Sequence, residues 1–196
     1  MNFITQEEVG VWPRRWSKDE YYRLGELGFF RGQKVELIGG QLMVQSPQLA
    51  PHASGIVLSM AALQAVFTSG CHVRPQLPLD LGQPSEPEPD VAVVVGTLRQ
   101  YLQAHPTTAL LIVEVADTTL ANDRNRKGSL YASSGIADYW IVNLVDNQVE
   151  VYRDPVPDPT QPFGSRYATR IELHAGDVIN PLALPQASVA VADLLP

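Results

Sequence analysis

Asp90 opens a short β-branched run, Val91-Ala92-Val93-Val94-Val95, directly after Glu86-Pro87-Glu88-Pro89. Glu114 sits inside a second run, Leu110-Leu111-Ile112-Val113-Glu114-Val115-Ala116, with apolar neighbours on either side. Runs of this kind read as strands buried on both faces. A carboxylate there is costly unless it meets a cation, a proton or strong donors. Lys127 is the cation placed to answer Glu114. It falls on the helix expected right after the Glu114 strand, where a helix packed back on the sheet brings its ammonium over the strand's carboxyl end. Asp123, Lys127, Leu130 and Tyr131 share one face of that helix. A third acid, Glu36, lies on an earlier strand between Val35 and Leu37. Alternation turns it away from both, which by itself reads as a solvated face.

Carboxylates gathered at one sheet edge resist joint ionisation unless a cation intervenes. Hard oxygen donors of this kind suit Mg2+ or Mn2+. Asp90, Glu114 and the backbone carbonyl of Val115 are the candidate metal ligands. A bound ion of this class would polarise a phosphodiester and generate a hydroxide-like nucleophile. Lys127 would orient that water or offset developing negative charge. The competing reading is a structural Asp90 at a strand start plus a Glu114–Lys127 ion pair, and spacing alone leaves both open.

The elements that must position these residues follow in order. Met1 to Pro13 reads as an irregular arm. Ser17 and Glu20 have capping-box spacing and start a helix from Lys18 to Leu27, stopped by Gly28. Lys34–Ile38 and Gln41–Gln45 around Gly39-Gly40 read as a tight hairpin. Ala50 to Phe67 reads as a helix whose buried stripe is Ile56, Met60, Leu63 and Phe67, with His52 near its start. His72–Arg74 and Gln76–Leu81 suggest one or two strands that Pro75 and Pro78 keep from fully paired central positions. Gly82–Pro89 is a loop, and Leu98–Gln103 a helical turn. Asn122–Ser134 is a helix closed by Gly135. Asp138–Asn143, Gln148–Arg153 and Tyr167–Leu173 are strands, with a proline-rich loop at Asp154–Gly164. The tail, Asn180–Pro196, is expected to pack on the surface. The strand–helix–strand unit from Ala109 to Asn143 favours parallel pairing. The order of mixed strands and helices places the chain in the α/β (α+β) class.

The chain's 196 residues suffice for one domain with a sizeable core, and 45% hydrophobic and 18% charged residues fit a globular protein. A net charge of -7 argues against broad attraction to nucleic acid, leaving only local basic clefts. Arg124 and Arg126 beside Lys127 would form one such patch for DNA, and Arg14, Arg15 and Lys18 a second. The single cysteine, Cys71, excludes an internal disulfide. With no secretory signal pattern and no long apolar run, a cytoplasmic protein with no membrane contact is expected. Four histidines and one cysteine make a structural zinc site a poor fit.

Taken in order, several segments resemble the Uma2 family (DUF820) of restriction-endonuclease-like proteins, in the PD-(D/E)XK nuclease superfamily. They are Trp16-Ser17-Lys18-Asp19-Glu20-Tyr21, Val35-Glu36-Leu37-Ile38-Gly39-Gly40, Ser46-Pro47 with His52, Glu88-Pro89-Asp90-Val91-Ala92-Val93, Val113-Glu114-Val115-Ala116, Asp123 with Lys127 and Tyr131-Ala132, and Gly135-Ile136-Ala137-Asp138-Tyr139-Trp140. The resemblance implies a central mixed sheet flanked by helices, with the site at one sheet edge. It covers about residues 16–153 as the core of a single domain spanning 1–196, with a C-terminal strand and tail at 165–196. It implies that Asp90 and Glu114 hold Mg2+ or Mn2+. The superfamily's lysine position is Ala116 here, a departure, and Lys127 takes that role. Glu36 matches an extra acidic position of some superfamily members, and His52 and Tyr131 match recurrent positions of unassigned role. The expected activity is that of a Mg2+-dependent DNA endonuclease, for which a homodimer would present two sites to two strands. A catalytically silent nuclease-fold binding module and a hydrolase of another phosphoester remain as alternatives.

Overall fold

The computed structural model describes residues 13–82 and 84–196, so the arm expected at Met1–Pro13 lies, apart from Pro13, outside the described residues. The chain runs α1 (Lys18–Glu26), β1 (Lys34–Ile38), β2 (Gln41–Gln45), α2 (Ala50–Val66), β3 (Cys71–Pro75), β4 (Val91–Val95) and β5 (Leu111–Ala116). There follow α3 (Leu120–Asn122), a π-helical segment (Asp123–Lys127), α4 (Gly128–Ser133), β6 (Asp138–Asn143), β7 (Gln148–Pro157), β8 (Ser165–Leu173), β9 (Val178–Ile179) and β10 (Val189–Ala190). Six strands form one mixed sheet in the order β3-β4-β5-β6-β7-β8. Its one parallel pair is β5 with β6, joined through α3 and α4, as the strand–helix–strand unit requires.

Alternation assigns the two faces of the sheet. Val91, Val93, Leu111, Val113, Val115, Trp140, Val142, Val149 and Val151 pack on one face with Ile56, Leu63 and Phe67 of α2. Ala92, Val94, Ile112, Ala116, Tyr139, Ile141 and Tyr152 pack on the other with Leu130, Tyr131 and Ala132 of α4 and with Ile38 of the hairpin. Both faces are covered, which is why these strands read as continuous apolar runs. Glu114 and Glu150 are buried carboxylates on the α4 face, both essentially inaccessible to solvent. α2 crosses closely at Gly55, where an added Cβ would lie 2.8 Å from Val115 Cγ1.

The β1–β2 hairpin turns at Gly39 and Gly40, with φ of 58° and 75°, the left-handed pair that a two-residue turn needs. The turn is clipped to the loop before β4: the Gly39 N–H donates to Ser85 Oγ (2.8 Å), the Gly40 N–H to the Pro84 carbonyl (2.7 Å), and the Glu86 N–H to the Leu37 carbonyl (2.7 Å). At α1 the capping box of Ser17 and Glu20 forms as expected.

Four expectations change. Gln76–Leu81 forms no strand, and β3 ends at Pro75 on the sheet edge. β7 runs on to Pro157, so the loop after it is shorter than Asp154–Gly164. Beyond Arg153 it pairs only with β8, and a strand with a free side tolerates Pro155 and Pro157. The C-terminal tail does not merely lie on the surface. Ile179, Val189, Val191 and Leu194 are buried in the α2-side core. Asp138 anchors this tail: its Oδ2 accepts the Leu182 N–H (2.9 Å), and Arg153, which donates to its Oδ1 (2.9 Å), also donates to the Asn180 carbonyl (2.8 Å). The helix expected over Asn122–Ser134 is interrupted by the π-helical segment, in which the Gly128 N–H reaches back to the Asp123 carbonyl.

Candidate active site

Glu114 stands at the centre. Its Oε1 accepts hydrogen bonds from Lys127 Nζ (3.0 Å) and the Tyr131 hydroxyl (2.6 Å), and its Oε2 accepts the Asp90 N–H (3.3 Å). Burial pushes its pKa up to about 8, despite the Lys127 ammonium, and the nearby Asp90 and Asp123 charges push the same way. Carboxylic acid and carboxylate are thus both accessible at neutral pH.

Asp90 lies where β4 begins, beside β5. Its Oδ2 accepts the Val115 N–H (2.9 Å) and faces His52 Nε2 at 3.4 Å, while Gln76 Nε2 donates to Oδ1 (3.3 Å). Burial raises its pKa, but the His52 hydrogen bond, the Lys127 charge and the Val115 N–H outweigh it, so the net shift is downward. His52 is raised in turn, chiefly by its hydrogen bond to Asp90. The two candidate ligands are therefore unlike: Asp90 is held ionised, and Glu114 is held near its titration point.

Asp123 and Lys127, four residues apart, share the inward face of the segment, as helical spacing already requires. The π-helical turn that contains them is of a kind that recurs at functional sites. Lys127 Nζ lies 3.0 Å from Glu114 Oε1 and 3.8 Å from Glu36 Oε1. Burial alone would lower its pKa, but Glu114, Glu36, Asp123 and Asp90 hold it well above the usual lysine value. Asp123 accepts from Thr119 Oγ1 (2.6 Å), and burial raises its pKa. Tyr131 is fully buried, and that burial raises its pKa far above the ordinary phenol.

Glu36 corrects the solvated-face expectation: it is buried, and its Oε2 accepts the Glu88 N–H (3.1 Å). The hairpin lies over the α4 face of the sheet, so the side of β1 opposite Val35 and Leu37 turns to the site instead of to water. Glu88 itself was absent from the sequence candidates. Burial raises its pKa, and Lys34 Nζ lies 3.6 Å from its Oε2. Gln76 was also missed, having no charge and no motif to mark it.

The cations of the expected basic patches each have a partner within the chain. Arg124 forms a two-pronged pair with buried Glu150 and approaches Asp146 at 3.7 Å. Arg126 donates to the Ile38 carbonyl (2.9 Å) and Gln41 Oε1 (2.7 Å), fastening the hairpin to the π-helical segment. Arg14 pairs with Glu20, Arg15 donates to the Gly39 carbonyl, and Lys18 pairs with Asp80.

Among the described residues, no group of three His, Cys, Asp or Glu side chains is arranged to hold a metal ion. The donor set suits a hard cation nonetheless. It has two carboxylates from neighbouring strand ends whose charges oppose one another. In addition, Val115 directs its N–H to Asp90, so its carbonyl points to the same side of β5. No helix among the described residues is long and apolar enough to cross a membrane.

The sequence model of the Uma2 family, described as "Putative restriction endonuclease", matches residues 19–192. Among solved structures the chain is similar to "a putative nuclease belonging to DUF820 from Anabaena variabilis ATCC 29413". The TM-score is 0.67 at 14% identity, covering 93% of this chain and 97% of that one, a likeness of fold. No curated protein matches the chain.

Proposed function

The chain belongs to the Uma2 family, and from that premise we propose that it is a Mg2+- or Mn2+-dependent endonuclease that hydrolyses phosphodiester bonds of DNA. The observation that carries the reading is the convergence of Asp90, Glu114 and Lys127 from three separate elements onto one buried point. Asp90, Glu114 and the Val115 carbonyl would hold the cation, which when bound supplies Lewis acidity toward the phosphate and a water of lowered pKa.

The chain's own residues do the rest. His52 and the Val115 N–H keep Asp90 ionised and fix its carboxylate plane. Tyr131 fixes the rotamer of Glu114 through Oε1, leaving Oε2, bonded only by the Asp90 N–H, as the oxygen to be exchanged. Lys127 keeps its proton under the influence of Glu114 and Glu36. Its Nζ offers donors to a nucleophilic water or to the phosphate oxygens as charge develops. A homodimer would present two such sites to the two strands of a duplex.

The test is nicking of supercoiled plasmid DNA in Mg2+ or Mn2+. Wild type converts the plasmid, and Asp90→Ala and Glu114→Ala do not. A second reading, a silent nuclease-fold module, draws support from the internal pairing of Arg14, Arg15, Lys18, Arg124 and Arg126. It predicts no nicking by any variant and stability indifferent to divalent cations.

A further inference from the structure

A cleft of about 620 Å3 opens beside Asp90, between the end of β2 and the start of the segment after β3. Its polar lining is Gln33, Lys34, Gln45, Ser46, Gln48 and Gln76. Two of these residues are also joined to the candidate site. Gln76 Nε2 donates to Asp90 Oδ1 (3.3 Å), and Lys34 Nζ lies 3.6 Å from Glu88 Oε2, whose backbone N–H bonds Glu36. Gln76 has φ of +48°, a left-handed conformation costly for a non-glycine residue. Its N–H is held between the carbonyls of Pro89 and Asp90, each at 3.1 Å, which fixes the backbone so that the amide meets Asp90.

Lys34 is unusual among the cations named above. Its Nζ is buried with no hydrogen-bond partner within the described residues, so an ammonium with three donors is balanced by one long ion pair. The remaining polar lining is amide and hydroxyl. Amides carry donor and acceptor side by side, the pattern that matches an adenine edge, and they add no negative charge to a chain already at -7.

We propose that this cleft receives the DNA strand flanking the scissile phosphate, with the partly exposed Lys34 side chain turning its ammonium from Glu88 to the neighbouring phosphate and the Gln45 and Gln48 amides on base edges. The proposal rests on the endonuclease reading and deepens it by naming the residues that set sequence preference. Gln76 is the positioning residue that ties this cleft to Asp90.

The test uses the full chain and a fluorescein-labelled random-sequence DNA duplex, with binding followed by anisotropy in Ca2+ across a salt series. Lys34→Gln is expected to weaken binding about tenfold near 0.1 M salt and to lower the slope of log affinity against log salt by about 0.9, the share of one phosphate contact. Gln48→Lys, at an exposed position, is expected to tighten binding and raise that slope by about the same amount. The Gln45→Ala, Gln48→Ala double variant should keep the slope yet change which sequences are cut, read by sequencing the ends made in plasmid DNA. If wild type binds and cuts while all three variants share its slope and its preference, the cleft proposal falls and the endonuclease reading stands. If wild type neither binds the duplex nor nicks plasmid, both fall.

Discussion

Replacing Glu114 by glutamine should change how the protein's stability depends on pH. Glu114 has a folded pKa of about 8 against an ordinary value of 4.5, so between those values the folded state holds a proton that the unfolded state has released. For an acid raised in this way, stability is greatest at low pH and is lost as pH rises toward 8. At 1.36 kcal/mol per unit, the loss between pH 5 and pH 9 is about 4 kcal/mol. Glu114→Gln removes the titration. It also carries a fixed cost: the amide must turn its NH2 either toward Lys127 and Tyr131 or toward the Asp90 N–H, and all three are donors. Setting donor against donor in a buried site costs ~1–3 kcal/mol at every pH. Urea unfolding in EDTA at pH 5, 7 and 9 separates the two effects. The variant should be less stable than wild type at pH 5 and as stable or more so at pH 9, with the difference between the two proteins moving by about 4 kcal/mol. Parallel pH profiles would refute the claim that burial raises the Glu114 pKa.

Lys127→Ala removes the ammonium shared by Glu114 and Glu36. It should abolish nicking by at least about a hundredfold and cost ~3 kcal/mol in urea unfolding at neutral pH, where Glu114 can take up a proton in compensation. The His52 imidazole should titrate above 6.5 by proton NMR, as its bond to Asp90 directs, and fall back in Asp90→Asn. Its contribution to stability is present below the ordinary value and disappears as pH rises through the raised one. Leu194→Ala, in the tail that fills the α2-side core, should lower stability by ~2–5 kcal/mol, whereas a surface tail would tolerate it.

Much of the sheet can be traced in the sequence because its strands are covered on both faces, which makes them conspicuous apolar runs. A lone carboxylate in such a run stands out, so Asp90 and Glu114 are found directly, and Lys127 follows from the helix that must return over the sheet. What sequence reasoning loses is set by long-range contacts. Glu36 looks solvent-facing until the hairpin is laid over the α4 face by the Ser85, Pro84 and Arg126 contacts. Nor does the sequence show that Arg124 and Arg126 have Glu150 and Gln41 as partners, each distant in sequence. The tail has short apolar runs with no periodicity, and only their joining the core under α2 explains their burial. Gln76 acts through an unusual backbone angle, and Glu88 is hidden by the proline-rich stretch around it.

The account's central claim is that Asp90 and Glu114 together hold a divalent cation, and calorimetric titration of Mg2+ and Mn2+ tests it most directly. Wild type should bind with an affinity that rises as pH approaches 8, because the Glu114 proton must leave, and both Asp90→Ala and Glu114→Ala should lose the heat of binding. Wild-type protein that takes up no cation at millimolar concentration, or variants that bind as well as wild type, would contradict it.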